Sequence, residues 1–199
     1  MEISMDAIKA LRDETGVSVM QCKKALEEAV GDMEKARMML RKKSGEMAAK
    51  KGDRTLGSGV VAAYIHGNNS VAAMVELACE TDFVAKNEDF KHVAYEIAMH
   101  VAALNPKYCT QADITDEDRA KAKSFFAEEV EKTMAGKPDA IKEKALEGKL
   151  ASFFAESVLV EQPFVKNPDM TVGDLVKQAV QKFGENTEIV RYARFAVGK

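Results

Sequence analysis

The first fifty residues alternate apolar positions with helix-capping residues in a pattern that predicts three short helices. The first helix begins after Ser4 and ends at Gly16, because glycine suits the left-handed end of a helix. The second begins at Ser18, which forms a capping box with the glutamine three residues later, and ends at Gly31. The third begins after Asp32, and its apolar residues recur at helical spacing: Met33, Ala36, Met39 and Leu40.

The middle of the chain changes to nearly continuous apolar runs, which are typical of strands. Residues 60–65 and 71–78 are joined by the turn-forming residues 66–70, so they predict a β-hairpin. Because both runs are apolar at almost every position, we expect a buried sheet. A last strand over residues 189–197 is expected to complete a three-stranded antiparallel sheet with this hairpin.

Helical spacing returns between these strands. Residues 90–102 carry apolar side chains along one helix face, and this helix is expected to end near Asn105. Residues 115–156 have two helical patterns separated by a Gly-Lys-Pro turn, which predicts an antiparallel helical hairpin. A shorter helix is predicted over residues 171–183.

Together these elements predict an α+β fold in a chain of 199 residues, a length that allows one large domain or two modest ones. The three helices form a small domain over residues 1–52. A charged, glycine-containing linker follows over residues 53–58. The sheet, its helices and the protruding helical hairpin form a core domain over residues 59–199.

The charge of the chain is nearly balanced but unevenly distributed. It has 29 basic and 32 acidic residues, yet residues 1–55 hold 12 basic and 10 acidic groups, whereas residues 56–105 hold 2 and 6. Six cations lie between Arg41 and Arg54. They suit either the phosphates of a nucleic acid or the solvated end of a helix, and the absence of interleaved aromatic residues favours the helix end. We therefore expect no direct nucleic-acid partner.

The apolar runs and the cysteines indicate the compartment. The longest apolar run has six residues, far fewer than the roughly 18 that span a bilayer, so we expect no membrane association. The first residues lack the basic and apolar regions of a signal peptide. Cys22, Cys79 and Cys109 form no CxxC pair, which favours reduced, structural thiols and a cytoplasmic protein.

Two patterns resemble ligand sites but are better explained otherwise. Residues 57–62 match the letters of a dinucleotide-binding loop, but that loop needs a strand before it and a helix after it, so linker glycines are favoured. His92, Glu96 and His100 share one helix side, where the outer pair is about 12 Å apart along the axis. A polar face is therefore favoured over a metal site. With no catalytic constellation either, we expect no cofactor, no metal and no enzyme activity.

The most unusual segment is residues 80–87, Glu-Thr-Asp-Phe-Val-Ala-Lys-Asn, directly after a predicted strand. Thr81 and Asp82 are residues that begin turns, so Phe83 lies where the chain leaves the core. Because aromatic side chains are ordinarily buried, the residue types alone favour a Phe83 ring that folds back into the core. The alternative is a ring that protrudes into a partner.

Several motifs, in order along nearly the whole chain, resemble the elongation factor Ts family. They are Leu-Arg-x-x-Thr-Gly at 11–16, Met-x-Cys-Lys-Lys-Ala-Leu at 20–26, Thr-Asp-Phe-Val-Ala-Lys-Asn at 81–87, Ile-Ala-Met-His-Val-Ala at 97–102, Glu-Gln-Pro-Phe-Val at 161–165 and Arg-Phe-x-Val-Gly at 194–198. This family is known as the guanine nucleotide exchange factor of the translation GTPase EF-Tu. The resemblance implies a UBA-like N-terminal module and a core that bears a helical hairpin.

The resemblance also implies roles for individual residues. The turn formed by Thr81, Asp82, Phe83 and Val84 is expected to intrude near the nucleotide of EF-Tu, disturb its magnesium site and loosen GDP. Residues expected to dock on EF-Tu are Arg12, Met20 and Lys23 on the small module, with His100 on the core. Residues 17–19 and 21 depart from the family's usual pattern.

Short members of this family resemble half of a pseudo-symmetric core. The resemblance therefore implies a homodimer and a two-plus-two complex with EF-Tu, with residues 189–197 facing the second subunit. Two other functions remain as alternatives to nucleotide exchange. One is a nucleic-acid-binding protein that uses the cations of residues 41–54, and the other is an adaptor protein that binds a partner through the helical hairpin.

Overall fold

A computed structural model describes residues 3–198 as eight helices, five strands and two short 3-10 turns. The helices are α1 (Met5–Thr15), α2 (Val19–Glu28), α3 (Met33–Lys51), α4 (Asp82–Ala85), α5 (Glu88–Leu104), α6 (Asp116–Thr133), α7 (Asp139–Ser157) and α8 (Val172–Phe183). The strands are β1 (Ser58–Ile65), β2 (Val71–Cys79), β3 (Pro163–Phe164), β4 (Asn167–Thr171) and β5 (Thr187–Ala196). The 3-10 turns are Gln111–Asp113 and Leu159–Glu161. The predicted domain ends at residues 1 and 199 lie outside the described residues.

No helix in this described part of the chain is both long and apolar enough to cross a membrane. Its elements are mixed helix and strand, which confirms the α+β fold class.

The three N-terminal helices begin at the predicted caps. Ser4, Ser18 and Asp32 accept hydrogen bonds from the backbone N–H groups three residues ahead, at 3.2, 3.4 and 3.1 Å. Helix α1 ends at Gly16, whose φ of 66° is left-handed as expected. The predicted end of α2 at Gly31 is wrong, because α2 already ends at Glu28 and Val30 has a left-handed φ of 55°.

The N-terminal module has its own apolar core and is held to the rest of the chain by polar contacts. Its buried side chains form one cluster: Ile8, Leu11, Val17, Cys22, Ala25, Leu26, Ala29, Ala36 and Leu40. Helix α3 packs against α8, where Arg41 pairs with Asp174 and Ser44 bonds to Gln181. The end of α3 follows the same surface, since Lys51 donates to the carbonyl of Gly184.

The three long strands form an antiparallel sheet in the order β1-β2-β5, as predicted. Val75 on the central strand lies opposite Ala62 of β1 and Tyr192 of β5. The register of β2 and β5 shifts after Glu76, which marks an irregularity in this pair. Because β1 and β5 are the two outer strands, each leaves one edge unpaired within the sheet.

The expectation of a sheet buried on both faces is wrong. Burial alternates along β1, and Val61 and Ile65 are exposed while Val60 and Ala62 pack into the core. The helical layer covers one face only, so near-continuous apolarity here marks one buried face and one uncovered apolar face. The interpretation of Gly59 as a linker glycine is also wrong. It lies in β1, where a Cβ atom would stand 2.6 Å from the carbonyl oxygen of Leu77.

Helix α5 covers the inner face of the sheet and builds the main core. It ends at Asn105, whose left-handed φ of 50° closes the helix where the sequence predicted. The ring of Phe90, near the start of α5, meets the ring of Phe183 from α8 edge to face at 5.5 Å. Helices α5 and α8 thus share one core with the sheet.

Helices α6 and α7 form the predicted antiparallel hairpin. Thr115 caps α6 by accepting from the Asp118 N–H at 3.1 Å. The two helices are joined by ion pairs between Glu129 and Lys149 and between Glu131 and Lys142, at 2.8 and 2.7 Å. A separate small cluster packs at the base of the hairpin: Tyr108, Ile114, Ala122, Phe154 and Val158.

Candidate functional site

The segment after β2 forms a single helical turn, α4, that projects one aromatic ring. Phe83 is 84% exposed, so the expectation that it folds back into the core is wrong. The next two residues explain why, since Ala85 is buried and Val84 packs against the core. On a helical turn these neighbours point in different directions, so anchoring Val84 and Ala85 directs Phe83 outwards.

Thr81 precedes α4, but its side chain makes no capping hydrogen bond to the helix. Instead its hydroxyl donates to Glu185 Oε1 at 2.5 Å, and its backbone N–H donates to Glu185 Oε2 at 3.0 Å. Glu185 could not be identified from the sequence, because it lies 104 residues from Thr81, in the turn between α8 and β5. The only local signal of that turn is Gly184 at the end of the α8 pattern.

Asp82 and Lys86 bracket the turn by an ion pair. Their Oδ2 and Nζ atoms lie 2.5 Å apart, one helical turn from each other. The hydrogen bond and charge of Lys86 hold the pKa of the Asp82 carboxyl below its ordinary value. Asp82 is therefore a fixed negative charge directly beside the exposed Phe83 ring at neutral pH.

Glu80 joins the turn to the linker. Its Oε1 accepts from the backbone N–H of Asn186 at 2.6 Å and lies 3.2 Å from Arg54 Nη1. These interactions, the Asn186 N–H first, hold the pKa of Glu80 below its ordinary value. The Asn186 side chain in turn donates to the carbonyls of Gly52 and Arg54, each at 3.4 Å. The linker is thus fastened beside the Phe83 turn.

The three docking residues expected on the module are all on its surface. Met20 is 81% exposed at the start of α2, and Arg12 on α1 is also exposed. Lys23 is exposed one turn later, where its Nζ lies 3.8 Å from Glu27. The structure places these three on the module and the four turn residues on the core, so the two groups occupy separate units, each with its own apolar cluster.

His100 is not on a polar helix face, as had been expected, but is 0% exposed between α5 and residues 162–165. Its Nδ1 accepts from the Val165 N–H at 3.2 Å, so the neutral ring donates through Nε2 to Gln162 Oε1 at 2.9 Å. Burial lowers the pKa of His100, against the opposing effect of the Gln162 bond. His100 thus ties two of the sequence motifs together instead of presenting its ring to solvent.

The other members of the predicted polar face have ordinary surface partners. His92 Nε2 and Lys166 Nζ lie 3.2 and 2.9 Å from Glu96 Oε1. No group of three or more His, Cys, Asp or Glu side chains in residues 3–198 is arranged to hold a metal ion. The three cysteines are free thiols, and burial raises the pKa of Cys109 to about 11.

Comparison with known proteins identifies the family. The family model for elongation factor TS matches residues 4–199. The chain belongs to the elongation factor Ts family. Elongation factor Ts of Thermosipho melanesiensis is 45% identical over 197 residues, covering 99% of this chain and 100% of that relative. Elongation factor Ts of Carboxydothermus hydrogenoformans is 47% identical over 197 residues, covering 99% of this chain and 90% of the relative. Family membership gives the chain a role in translation elongation.

Most of the cations between residues 41 and 54 are engaged in contacts within the protein. Arg41 and Arg54 pair with acidic groups of the core, and Lys51 bonds to a core carbonyl. Lys43 Nζ lies 3.2 Å from Glu28 within the module. The interpretation of this segment as a solvated helix end is therefore incomplete, because four of its six cations have partners within the protein.

The uncovered face of the sheet is the second notable surface of the chain. Phe195 of the edge strand β5 is 68% exposed. Four more exposed apolar side chains belong to the same three strands: Val61, Ile65, Met74 and Val190. Monomeric proteins seldom expose large contiguous apolar surfaces, so this face has the character of an interface.

Proposed function

We propose that this chain is a guanine nucleotide exchange factor for EF-Tu and not an enzyme. It binds EF-Tu carrying GDP and promotes GDP release by disturbing the magnesium and nucleotide site, so that GTP binds next. The observation that carries this proposal is the Phe83 ring, exposed on a helical turn that the core and Glu185 fix in place. Aromatic side chains at protein interfaces are typical anchors of binding. A factor with this partner works in the cytoplasm.

The exposed turn supplies the part that acts on the nucleotide site. By match to the family, Thr81, Asp82, Phe83 and Val84 have this role, with Phe83 as the wedge. Exposing a phenyl ring to water in the free protein leaves its burial energy available for the complex. That energy is roughly 1.5–3 kcal/mol, whereas each tenfold weakening of GDP binding needs about 1.4 kcal/mol. Phe83 alone therefore supports roughly a ten- to hundredfold effect.

Larger effects need binding energy from other contacts, because exchange is a coupling between two ligands of the same protein. We assign this energy to the module over residues 1–52, which docks through Arg12, Met20 and Lys23. The linker over residues 53–58 joins it to the core domain over residues 59–199. Because the His100 ring is buried, its contribution is to hold residues 162–165 in place at the core contact.

The chain acts as a homodimer in a two-plus-two complex with EF-Tu. The support is the uncovered apolar face of the sheet, which includes Phe195 and Val190 on β5. Two such faces packed together remove both from water, and β5 (Thr187–Ala196) overlaps residues 189–197, the segment expected to face the second subunit. Isologous packing of one self-complementary surface is the commonest way that chains form dimers.

The experiment that tests the exchange function uses EF-Tu loaded with a fluorescent GDP and chased with excess unlabelled GDP. This protein, added in substoichiometric amount, is expected to accelerate the fluorescence decay of the whole EF-Tu population, because an exchange factor turns over. A decay that stays at the intrinsic rate would contradict the proposal. A helical-hairpin adaptor would bind EF-Tu without changing this rate, and a nucleic-acid-binding protein would not respond to EF-Tu.

A further inference from the structure

The Phe83 turn is too short to fix its own geometry. Helix α4 has four residues, whereas isolated helices shorter than about 12–15 residues are marginal in water. Its preceding residue, Thr81, makes no side-chain capping bond to the helix. The direction of the Phe83 ring therefore depends on what holds the chain just before α4.

Glu185 holds that point with both carboxylate oxygens. One oxygen accepts from the Thr81 hydroxyl at 2.5 Å and the other from the Thr81 N–H at 3.0 Å. Two bonds to one carboxylate fix both the position and the rotation of the Thr81 peptide. Charge-assisted bonds of this kind are stronger than neutral ones, and a bidentate pair adds geometric specificity.

The turn that carries Glu185 is itself braced. Its neighbour Asn186 is 3% exposed, donates its N–H to Glu80 at 2.6 Å, and donates its side chain to the linker carbonyls of Gly52 and Arg54. Lys51, at the end of α3, bonds to the carbonyl of Gly184. Glu185 is thus presented by a turn that contacts both the chain before α4 and the linker from the N-terminal module.

We propose that Glu185 is a positioning residue for nucleotide exchange, which clamps Thr81 so that α4 presents Phe83 in the direction needed to enter EF-Tu. This inference rests on the exchange function proposed above. Glu185 acts through Thr81 and does not itself contact the nucleotide or the magnesium ion. Glu185 restricts the motion of the Phe83 ring in the free protein, so less conformational entropy is lost when the protein binds EF-Tu.

Exchange kinetics separate positioning from docking. Glu185→Ala is expected to lower the saturating rate of stimulated GDP release about three- to tenfold, because two charge-assisted bonds are lost. The half-saturating concentration is expected to change by less than about twofold, since the docking module is untouched. Glu185→Gln keeps an acceptor for the Thr81 N–H and is expected to recover most of the rate. Glu147→Ala, which removes a carboxylate from α7, is the matched control and should match the parent.

A second readout follows the ring directly and does not involve EF-Tu. The chain has no tryptophan and four tyrosines, so Phe83→Trp provides a single tryptophan that can be excited selectively in the free protein. Its fluorescence anisotropy is expected to fall when Glu185→Ala is added and to stay constant when Glu147→Ala is added. Thermal melts of each variant by circular dichroism establish that the fold is retained.

These measurements distinguish failure of the clamp from failure of the exchange function. If Glu185→Ala leaves both the saturating rate and the reporter anisotropy at parental values while Phe83→Ala slows release, the clamp is wrong and the exchange function stands. A change confined to the half-saturating concentration would also overturn the positioning role. If Phe83→Ala itself has no effect on release, the proposed function fails, whatever the anisotropy shows about the clamp.

Discussion

Replacing His100 by alanine is expected to destabilise the core far more than replacing its helix neighbour His92. The His100 ring is fully buried and bonds to Gln162 Oε1 at 2.9 Å and to the Val165 N–H at 3.2 Å. Truncation to alanine leaves Gln162 and the Val165 N–H without their hydrogen bonds to the ring, and each loss costs roughly 1–3 kcal/mol of the free energy of unfolding. It also opens a cavity beside Phe164. The expected loss in free energy of unfolding is about 3–5 kcal/mol.

Thermal unfolding followed by circular dichroism at pH 7.5 checks this value. For a chain of this size each kcal/mol shifts the Tm by roughly 2–4 °C, so His100→Ala is expected to lower the Tm by about 6–20 °C. His92→Ala is the matched control. The His92 side chain is exposed and pairs with the Glu96 carboxylate at the surface, so the loss in free energy of unfolding for His92→Ala should fall within about 0.5 kcal/mol. Equal Tm values for the two variants would refute the buried hydrogen-bonded role of His100.

Three further predictions concern acid stability, docking and the dimer. Because the pKa of His100 is lowered in the folded protein, the unfolded chain binds a proton at mildly acidic pH that the folded chain does not. The free energy of unfolding should therefore fall as the pH drops below about 6.5. Urea unfolding at pH 7.5 and 5.5 should show this fall, and a smaller one in His100→Gln. Met20→Ala should raise the half-saturating concentration in the exchange assay by about tenfold while leaving the saturating rate intact, because the exposed thioether supplies docking energy only; an unchanged concentration would contradict its docking role. In sedimentation equilibrium the parent protein should have twice the chain mass of 21.8 kDa. Phe195→Asp should lower the measured mass to 21.8 kDa, whereas Phe125→Asp on the helical hairpin should leave it unchanged. A mass of 21.8 kDa for the parent at micromolar concentration would contradict the proposed dimer.

Elements set by local chemistry could be predicted from the sequence. The caps at Ser4 and Asp32, the left-handed end of α1 at Gly16 and the end of α5 at Asn105 occur where the residues indicated. Each depends on hydrogen bonds and φ values within a few residues, so no knowledge of the distant chain is needed. The order of strands and helices, and hence the fold class, followed from these local signals.

Features that depend on which surfaces meet could not be predicted in this way. The apolar runs of β1 and β2 gave no indication that helices would cover only one sheet face. His100 looked like part of a polar helix face, because its hydrogen-bond partners Gln162 and Val165 lie more than sixty residues further along the chain. Glu185 had no detectable signal at all, since an isolated acidic residue next to a helix end is ordinarily solvated.

The site itself was predicted in part. The residue types alone favoured a buried Phe83 and kept a protruding ring as the alternative, which the family resemblance then favoured. The structure explains the exposure by the anchoring of Val84 and Ala85 and by the clamp on Thr81. Exposure of the aromatic Phe83 ring to water is unfavourable in the free protein, and burial of the ring in a complex would recover that free energy.

The most direct test of the central claim compares Phe83→Ala with Phe125→Ala in GDP release from EF-Tu. Both parent rings are largely exposed, at 84% and 68%, but Phe125 lies on the helical hairpin, away from the turn. With EF-Tu carrying fluorescent GDP and each variant at saturating concentration, Phe83→Ala is expected to slow stimulated release about ten- to hundredfold while binding to EF-Tu is largely kept. With Phe125→Ala, EF-Tu should release GDP at the rate stimulated by the parent protein. The same parental rate with Phe83→Ala would contradict the proposed role of the Phe83 ring.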